Sequence, residues 1–115
     1  MIPQKNKISH LFFKNLLKQG KSINTPYFSL RVNNHSYEDF RLACVVSRKI
    51  ARKAVKRNLS KRRFLSIVFS HTNILCPHMS YIFFLKQEIV TKDDTQNITK
   101  EIEKTLTSIY KNCNR

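Results

Sequence analysis

The sequence predicts a single domain of mixed α+β architecture. Two hydrophobic patterns support this prediction. Short apolar or alternating runs are typical of strands, and longer stretches with apolar residues at steps of three and four are typical of helices. Along the chain these patterns follow the order helix, two or three strands, helix, strand, helix. The length of 115 residues allows one hydrophobic core, so residues 1–115 are expected to form one domain.

The first elements are a predicted helix and a predicted strand. After a loose, basic start over residues 1–8, the segment 9–19 carries apolar residues near helical spacing. Gly20 follows at the position where helices commonly end. Apolar and polar residues alternate over Tyr27–Val32, which indicates a strand, and the Asn33–Asn34 pair then indicates a turn.

Two further strands and two helices are predicted after this turn. Arg41–Ser47 is almost continuously apolar, which favours a strand at the centre of the sheet. Ile50–Ser70 is the longest candidate helix, with one face formed by Ala51, Val55, Asn58, Arg62, Leu65 and Phe69. Tyr81–Leu85 is predicted to be a short buried strand. Asp93 and Asp94 then precede a final helix, whose apolar face contains Ile98, Ile102, Leu106 and Ile109.

The chain has a high positive charge for its size. It contains 22 Lys and Arg against 7 Asp and Glu, which gives a formal net charge of +15. Because charge of one sign destabilises the compact state, a polyanionic partner is expected, and nucleic acid is the simplest one. The eight Phe and the 41% hydrophobic content argue against a disordered basic tail.

Several other classes of protein are disfavoured. The sequence contains no run of 18 apolar residues, so no segment is expected to span a membrane. Lysines interrupt the first 18 residues, so no cleaved secretory signal is expected. Cys44, Cys76 and Cys113 are odd in number and widely spaced, which favours free thiols in the cytoplasm. Carboxylates and histidines are sparse and scattered, so neither a metal site nor a catalytic side chain is predicted in the protein.

The positive charge is concentrated in one segment. No acidic residue interrupts its nine basic residues, which are Arg48, Lys49, Arg52, Lys53, Lys56, Arg57, Lys61, Arg62 and Arg63. An ordinary solvated face would mix the two signs, and a membrane-surface helix would have large apolar residues opposite the charges. The segment therefore favours nucleic-acid binding. Asn58 lies within it either as a surface residue or against the sheet, where its amide would need hydrogen-bond partners.

The segment Val46–Arg62, with the sequence VSRKIARKAVKRNLSKR, resembles the signature of the bacterial ribonuclease P protein component. That signature is a strand ending in Val-Ser-Lys-Lys, followed by a helix that contains Arg-Asn-Arg and ends with Lys-Arg. Weaker similarities lie at Phe13, Gly20–Ser22, Phe28 and Tyr81–Phe84. The chain departs from the pattern at Ala51, Leu59 and Leu65, where the family has glycine, arginine and arginine.

The resemblance implies an α-β-β-β-α-β-α two-layer sandwich, in which the basic helix forms a left-handed crossover between parallel strands. It also implies a subunit of ribonuclease P, the endoribonuclease that removes the 5′ leader from precursor tRNA in the cytoplasm. A catalytic RNA subunit would hold the Mg²⁺ ions and carry out the cleavage. The protein would bind that RNA and the leader, and it would contribute no catalytic residue.

The same resemblance assigns residues to two surfaces. The RNA-binding residues would be Arg48, Lys49, Arg52, Lys53, Lys56, Arg57, Asn58, Lys61, Arg62 and Arg63. The leader would lie in a cleft between the sheet and the first helix, and its candidate residues are Phe13, Tyr27, Phe28 and Arg31. Aromatic side chains stack on bases of any sequence, which suits leaders that vary. Core packing is the alternative function of Phe13 and Phe28.

Two other functions are compatible with the charge. A non-catalytic RNA-binding ribosomal or assembly protein would have nearly the same composition, and only the motif at Val46–Arg62 favours ribonuclease P over it. A DNA-binding module would place the basic helix in a major groove. A strand precedes that helix here, however, rather than the short turn and helix of a helix-turn-helix.

Overall fold

The computed structural model describes residue 8 and residues 20–34 and 39–113. This part of the chain contains the strands β1 (Lys21–Asn24), β2 (Phe28–Asn34), β3 (Arg41–Val45) and β4 (Met79–Leu85), and the helices α1 (Ala54–Phe69) and α2 (Lys92–Cys113). A short 3₁₀ helix, Thr72–Ile74, connects α1 to β4. The mixed α+β class is confirmed. The helix predicted over residues 9–19 lies outside the described residues.

The four strands form one sheet in the order β1-β2-β4-β3. β2 is antiparallel to β1 and to β4, whereas β3 is parallel to β4. The basic helix α1 lies in the connection between these two parallel strands, and the hand of that connection stays a prediction. The central position predicted for Arg41–Ser47 is wrong, because β3 pairs only with β4 among the described strands. Its apolar character arises instead because residues on both of its sides are buried or half-buried.

The turn predicted at Asn33–Asn34 is also wrong. Both residues end β2, where they pair with Ser80 and Met79 of β4. β1 was not predicted as a strand from its hydrophobic pattern, since it has only four residues and most of them are exposed. Gly20, just before β1, has φ +95°, and a Cβ there would collide with the carbonyl oxygen of Val32. Only glycine fits this position.

The two faces of the sheet have different environments. One face packs against both helices and forms the core with Phe28, Leu30, Val32, Leu42, Cys44, Tyr81, Phe83 and Leu85. At its centre the ring of Phe64 from α1 meets that of Phe83 edge-on, with a centroid distance of 4.8 Å. Alternate residues point to the opposite side of the sheet, which we call the outer face. From the strand registers it carries Ser29, Arg31, Asn33, Arg41, Ala43, Val45, Ser80, Ile82 and Phe84.

The buried face of α1 differs from the predicted face. The helix buries Ser60, Phe64, Leu65 and Val68. Of the face predicted from the sequence, only Leu65 is buried within the helix and Phe69 is half-buried against the core, whereas Val55, Asn58 and Arg62 are exposed. The predicted face was counted from Ala51 as its first residue. Ala51 is buried, but it lies before the start of the helix.

Polar contacts attach α1 to the segment between β4 and α2. The buried hydroxyl of Ser60 accepts a hydrogen bond from the Ile89 amide at 3.1 Å, and Nη1 of Arg63 donates to the Ile89 carbonyl at 2.6 Å. Ile89 itself is buried in the core. Both backbone polar groups of this buried residue are therefore satisfied by α1, which fixes the helix to the segment that follows β4.

α2 agrees with the prediction from the sequence. Its buried residues are Ile98, Ile102, Leu106, Ile109 and Thr105. Near its start, Oδ2 of Asp94 accepts hydrogen bonds from the amides of Thr91 and Val90, and these bonds lower the pKa of Asp94. Among the described helices, none combines the length and the apolar character that crossing a membrane requires.

The prediction of three free thiols is only partly correct. Cys44 is a free thiol on the core face of β3, and burial raises its pKa to about 12. Cys76, in the connection before β4, is disulfide-bonded. The spacing of the three cysteines did not indicate this disulfide bond, because spacing along the chain does not show which cysteines the fold brings together.

His71 connects the end of α1 to α2. Its Nδ1 lies 2.8 Å from the Ile67 carbonyl oxygen, and its Nε2 lies 3.0 Å from Oε1 of Glu103. The hydrogen bond to Ile67, and then the contact with Glu103, raise the pKa of His71 because both favour the doubly protonated ring.

A raised pKa in the folded protein gives a stabilisation that is complete below the unfolded pKa of about 6.5 and is lost as the pH rises through the folded pKa. We expect Glu103→Gln to lower the free energy of unfolding by about 0.5 kcal/mol near the acid end of this window, since Glu103 is largely exposed. At a pH two units above the folded pKa, the substitution should have almost no effect. Urea unfolding of both proteins at the two pH values measures the difference, and an equal loss at both would contradict this explanation.

Candidate nucleic-acid interface

The basic segment begins with a tight turn after β3. The amides of Ile50 and Ala51 both donate to the Ser47 carbonyl, at 3.1 and 3.2 Å. Ala51 is buried in the core, and this contact anchors the turn to the sheet. Arg48 and Lys49 lie at the exposed part of the turn. The helix predicted from Ile50 therefore starts only at Ala54, after this separate turn.

Arg57 holds the segment between the turn and the helix. Its Nη1 donates to the carbonyl oxygens of Ala51 at 3.0 Å and of Arg52 at 2.6 Å. Its side chain is half-buried, whereas those of Arg52 and Lys53 are exposed. Arg57 was predicted to be an RNA-binding residue, and the structure gives it an additional function, because it fixes the backbone that carries its basic neighbours.

These residues surround an open depression of about 750 Å³. It is lined by Arg48, Lys49, Arg52, Ala54 and Arg57. Four of its five lining residues are cationic, so the depression is suited to an anion such as a backbone phosphate. The turn and the first part of α1 thus bring together residues that are up to nine positions apart in the sequence.

The N-terminus of α1 adds to the positive potential at this depression. Lys53 precedes the helix in an extended conformation without a side-chain capping bond, and no acidic residue lies in the first turn. The first amides of a helix have no partner within the helix, and they carry the positive end of its dipole. A phosphate would complement both the free amides and the cationic side chains.

The other predicted RNA-binding residues are distributed along α1. Lys56 and Arg62 are exposed, and Lys61 is half-buried beside the core. Arg63 is exposed, and Nη1 of its guanidinium group also donates to the Ile89 carbonyl. Asn58 is exposed, so its amide does not lie against the sheet. Nine of the ten predicted residues are thus cations of the turn and the first part of α1, and we call these ten residues the basic surface.

Phe28, predicted to line the leader cleft, is a core residue. Its side chain is fully buried, and its ring contacts those of Phe64 and Phe83. The reason is its position in β2, which directs it toward α1 rather than toward the outer face. Tyr27 is half-buried against the same core. Phe13 lies outside the described residues.

Arg31 and Phe84 lie on the outer face of the sheet. Arg31 pairs with Ile82, and Phe84 pairs with Ser29 on one side and Val45 on the other. Arg31 and Phe84 are half-buried. From the sequence, Phe84 was predicted only as part of the short buried strand Tyr81–Leu85. Its position could have been found from the alternation of β4, because Phe83 in the core requires Phe84 to face the other way.

The side chains of the basic surface are suited to binding anions. Among the described residues, no group of three or more His, Cys, Asp or Glu side chains could hold a metal ion. The lining of the depression contains only arginine, lysine and alanine side chains. Permanently charged guanidinium groups bind phosphates well but are poor general bases. The arrangement is therefore suited to holding a polyanion.

Comparison with known proteins identifies relatives over most of the chain. The profile of the family Ribonuclease P matches residues 4–110. The ribonuclease P protein component of Acholeplasma laidlawii is 28% identical over 87 residues, which cover 76% of this chain and 70% of that protein. The RNase P protein of Staphylococcus aureus has a similar structure, with a TM-score of 0.74, 25% identity, and coverage of 87% of this chain and 94% of the other. The RNase P protein of Thermotoga maritima shares the fold, with a TM-score of 0.68, 21% identity and coverage of 84% and 89%.

Proposed function

This chain belongs to the ribonuclease P protein family, and from this premise we propose that its basic surface binds the catalytic RNA of that enzyme. The observation that carries the proposal is the depression of about 750 Å³ at the start of α1, with its four cationic side chains. Phosphates dominate the affinity of proteins for nucleic acids, and arginines recognise them with directed hydrogen bonds. The protein is a subunit of a tRNA-processing ribonuclease, and the RNA subunit is its first partner.

In this proposal the RNA subunit would carry out the cleavage and would hold Mg²⁺ ions, which would supply the activated nucleophile and stabilise the leaving group. The protein's own residues position RNA. Arg48, Lys49 and Arg52 neutralise phosphates, and Arg57 keeps their backbone in one arrangement. The basic surface contains no carboxylate that would compete with RNA for Mg²⁺.

The second proposed ligand is the single-stranded 5′ leader of precursor tRNA, bound on the outer face. Arg31 would pair with a leader phosphate, and the half-buried ring of Phe84 would stack on a base. Stacking accepts every base, which allows one protein to serve leaders of different sequence. In this proposal Phe84, which lies on the outer face, takes the base-stacking function that the sequence analysis gave to Phe28.

The alternative functions are less well supported. Family membership does not favour a ribosomal or assembly protein. For a DNA-binding module, the described residues before α1 form β3 and a turn rather than a first helix. We also propose that the chain acts as a single RNA-binding domain in the cytoplasm, where precursor tRNA is processed.

Reconstitution tests this function directly. Purified protein is mixed with the RNA subunit of the same organism, precursor tRNA and Mg²⁺, and the 5′ end of the product is mapped. At near-physiological salt the protein should increase cleavage at the mature 5′ end, because its cations offset repulsion between the two RNAs. Protein freed of RNA should cut nothing. Cleavage by the protein alone would refute the assignment of the chemistry to RNA, and equal cleavage without the protein would refute its function as a subunit.

A further inference from the structure

Two exposed apolar residues of α1 lie inside the basic surface. Val55 and Leu59 are 76% and 39% exposed. They are one helical turn apart, so their side chains are neighbours on the helix. The other residues three or four positions from Leu59 are all basic: Lys56, Arg62 and Arg63. Val55 and Leu59, which we call the apolar pair, are thus an aliphatic patch bordered by cations.

The core does not use the apolar pair. α1 buries Ser60, Phe64, Leu65 and Val68, which lie on a different side of the helix. Neither Val55 nor Leu59 belongs to the core cluster of the described residues. Apolar surface left in water is unfavourable in proportion to its area, so an occupant that covers the patch would bind more tightly.

We propose that the apolar pair packs against sugars and base edges of the catalytic RNA, between phosphates held by the surrounding cations. This inference rests on the proposed function and adds an uncharged contact to the same surface. Charge complementarity selects RNA as the occupant, because the ring of basic residues must be neutralised when the patch is covered. A second copy of this chain, with a formal net charge of +15, would be repelled.

The shape of RNA fits short aliphatic side chains. The minor groove of an RNA helix is wide and shallow, and it presents sugars and base edges between two rows of phosphates. A leucine at the centre of such a contact can reach the groove floor while arginines and lysines reach the rims.

The test is the affinity of the full-length protein for the RNA subunit of the same organism, measured by filter binding over a series of KCl concentrations. Leu59→Gln should weaken binding about fivefold at every concentration, because it removes apolar contact but no charge. The slope of log K against log salt should stay unchanged. Lys56→Gln should instead reduce the magnitude of that slope by about 0.7–0.9, the effect of one lost phosphate contact.

Val90 provides a matched apolar control. It is 64% exposed and lies in the segment before α2. It is not one of the residues of the basic surface, and its carbonyl oxygen lies 3.5 Å from Nη1 of Arg63, a backbone contact that a side-chain substitution retains. Val90→Gln should change neither affinity nor slope, and thermal unfolding should show that all three variants remain folded. If Lys56→Gln reduces the salt slope and Leu59→Gln leaves the affinity unchanged, the apolar contact is refuted but the binding of RNA by the basic surface is not. Sedimentation of the wild type as a dimer that Leu59→Gln dissociates would assign the pair to self-association and also overturn the inference. If the wild type shows no salt-dependent affinity for RNA, the proposed function fails as well.

Discussion

Phe28→Ala is expected to lower the free energy of unfolding by about 3–5 kcal/mol, the usual cost of removing a buried aromatic side chain. Phe28 is fully buried, and its ring lies 5.7 Å from that of Phe64 and 5.5 Å from that of Phe83, centroid to centroid. Truncation leaves a cavity between the sheet and α1, and close-packed neighbours fill such a cavity only in part. Urea unfolding followed by circular dichroism measures the change.

Phe84→Ala is the matched control, since it removes the same side chain from the other face of the sheet. Phe84 is half-buried on the outer face, so its replacement should cost about 1 kcal/mol of stability. It should also weaken binding of a single-stranded leader by the energy of one stacked base, about 1–3 kcal/mol. If Phe28→Ala kept wild-type stability but lost leader affinity, Phe28 would belong to the cleft and not to the core.

Arg57→Gln is expected to impair RNA binding more than the removal of any other single charge on α1. The substitution removes one cation and also the hydrogen bonds that hold the Ala51 and Arg52 carbonyls. Once the segment is free, Arg48, Lys49 and Arg52 no longer stay in one arrangement. About two to three phosphate contacts should therefore be lost, and the magnitude of the salt slope should fall by roughly 0.7–0.9 for each of them.

Arg62→Gln is the control for Arg57→Gln, because Arg62 is exposed and carries the same charge. Arg62→Gln should remove only about one phosphate contact and reduce the magnitude of the salt slope accordingly. Hydrogen exchange gives a second measurement that charge alone would not change. The amides of Ile50 and Ala51, which donate to the Ser47 carbonyl, should exchange faster in Arg57→Gln but not in Arg62→Gln. Equal slopes and equal exchange in both variants would mean that Arg57 is an ordinary phosphate contact.

The elements with a clear hydrophobic period could be predicted from the sequence. In α2 the apolar residues recur at helical steps on one side, and all of them are buried. Tyr81–Leu85 was predicted to be a buried strand and forms most of β4. The basic segment could likewise be located, because nine cations without an acidic residue form a pattern that does not depend on the fold.

The sequence was less informative where tertiary contacts decide. In α1 the small polar residue Ser60 is buried because it bonds the Ile89 amide, and the apolar residue Val55 is exposed. Hydrophobicity alone therefore selected the wrong face. The function of Arg57 depends on a turn that the sequence did not separate from the helix. The strand order could not be predicted either, because pairing partners far apart in the chain leave no local signal.

The strand order also has a consequence for how the nascent chain folds. β4 joins β2 to β3, yet it is translated after both of them and after α1. The hairpin of β1 and β2 can form as soon as it emerges from the ribosome, whereas the strand that pairs with β3 among the described strands is missing until residues 79–85 have been synthesised. Parallel pairing across a long connection is slow, because loop closure precedes any stabilising contact. During translation, the cationic segment is thus synthesised and exposed to cellular RNA before the sheet that supports it is complete.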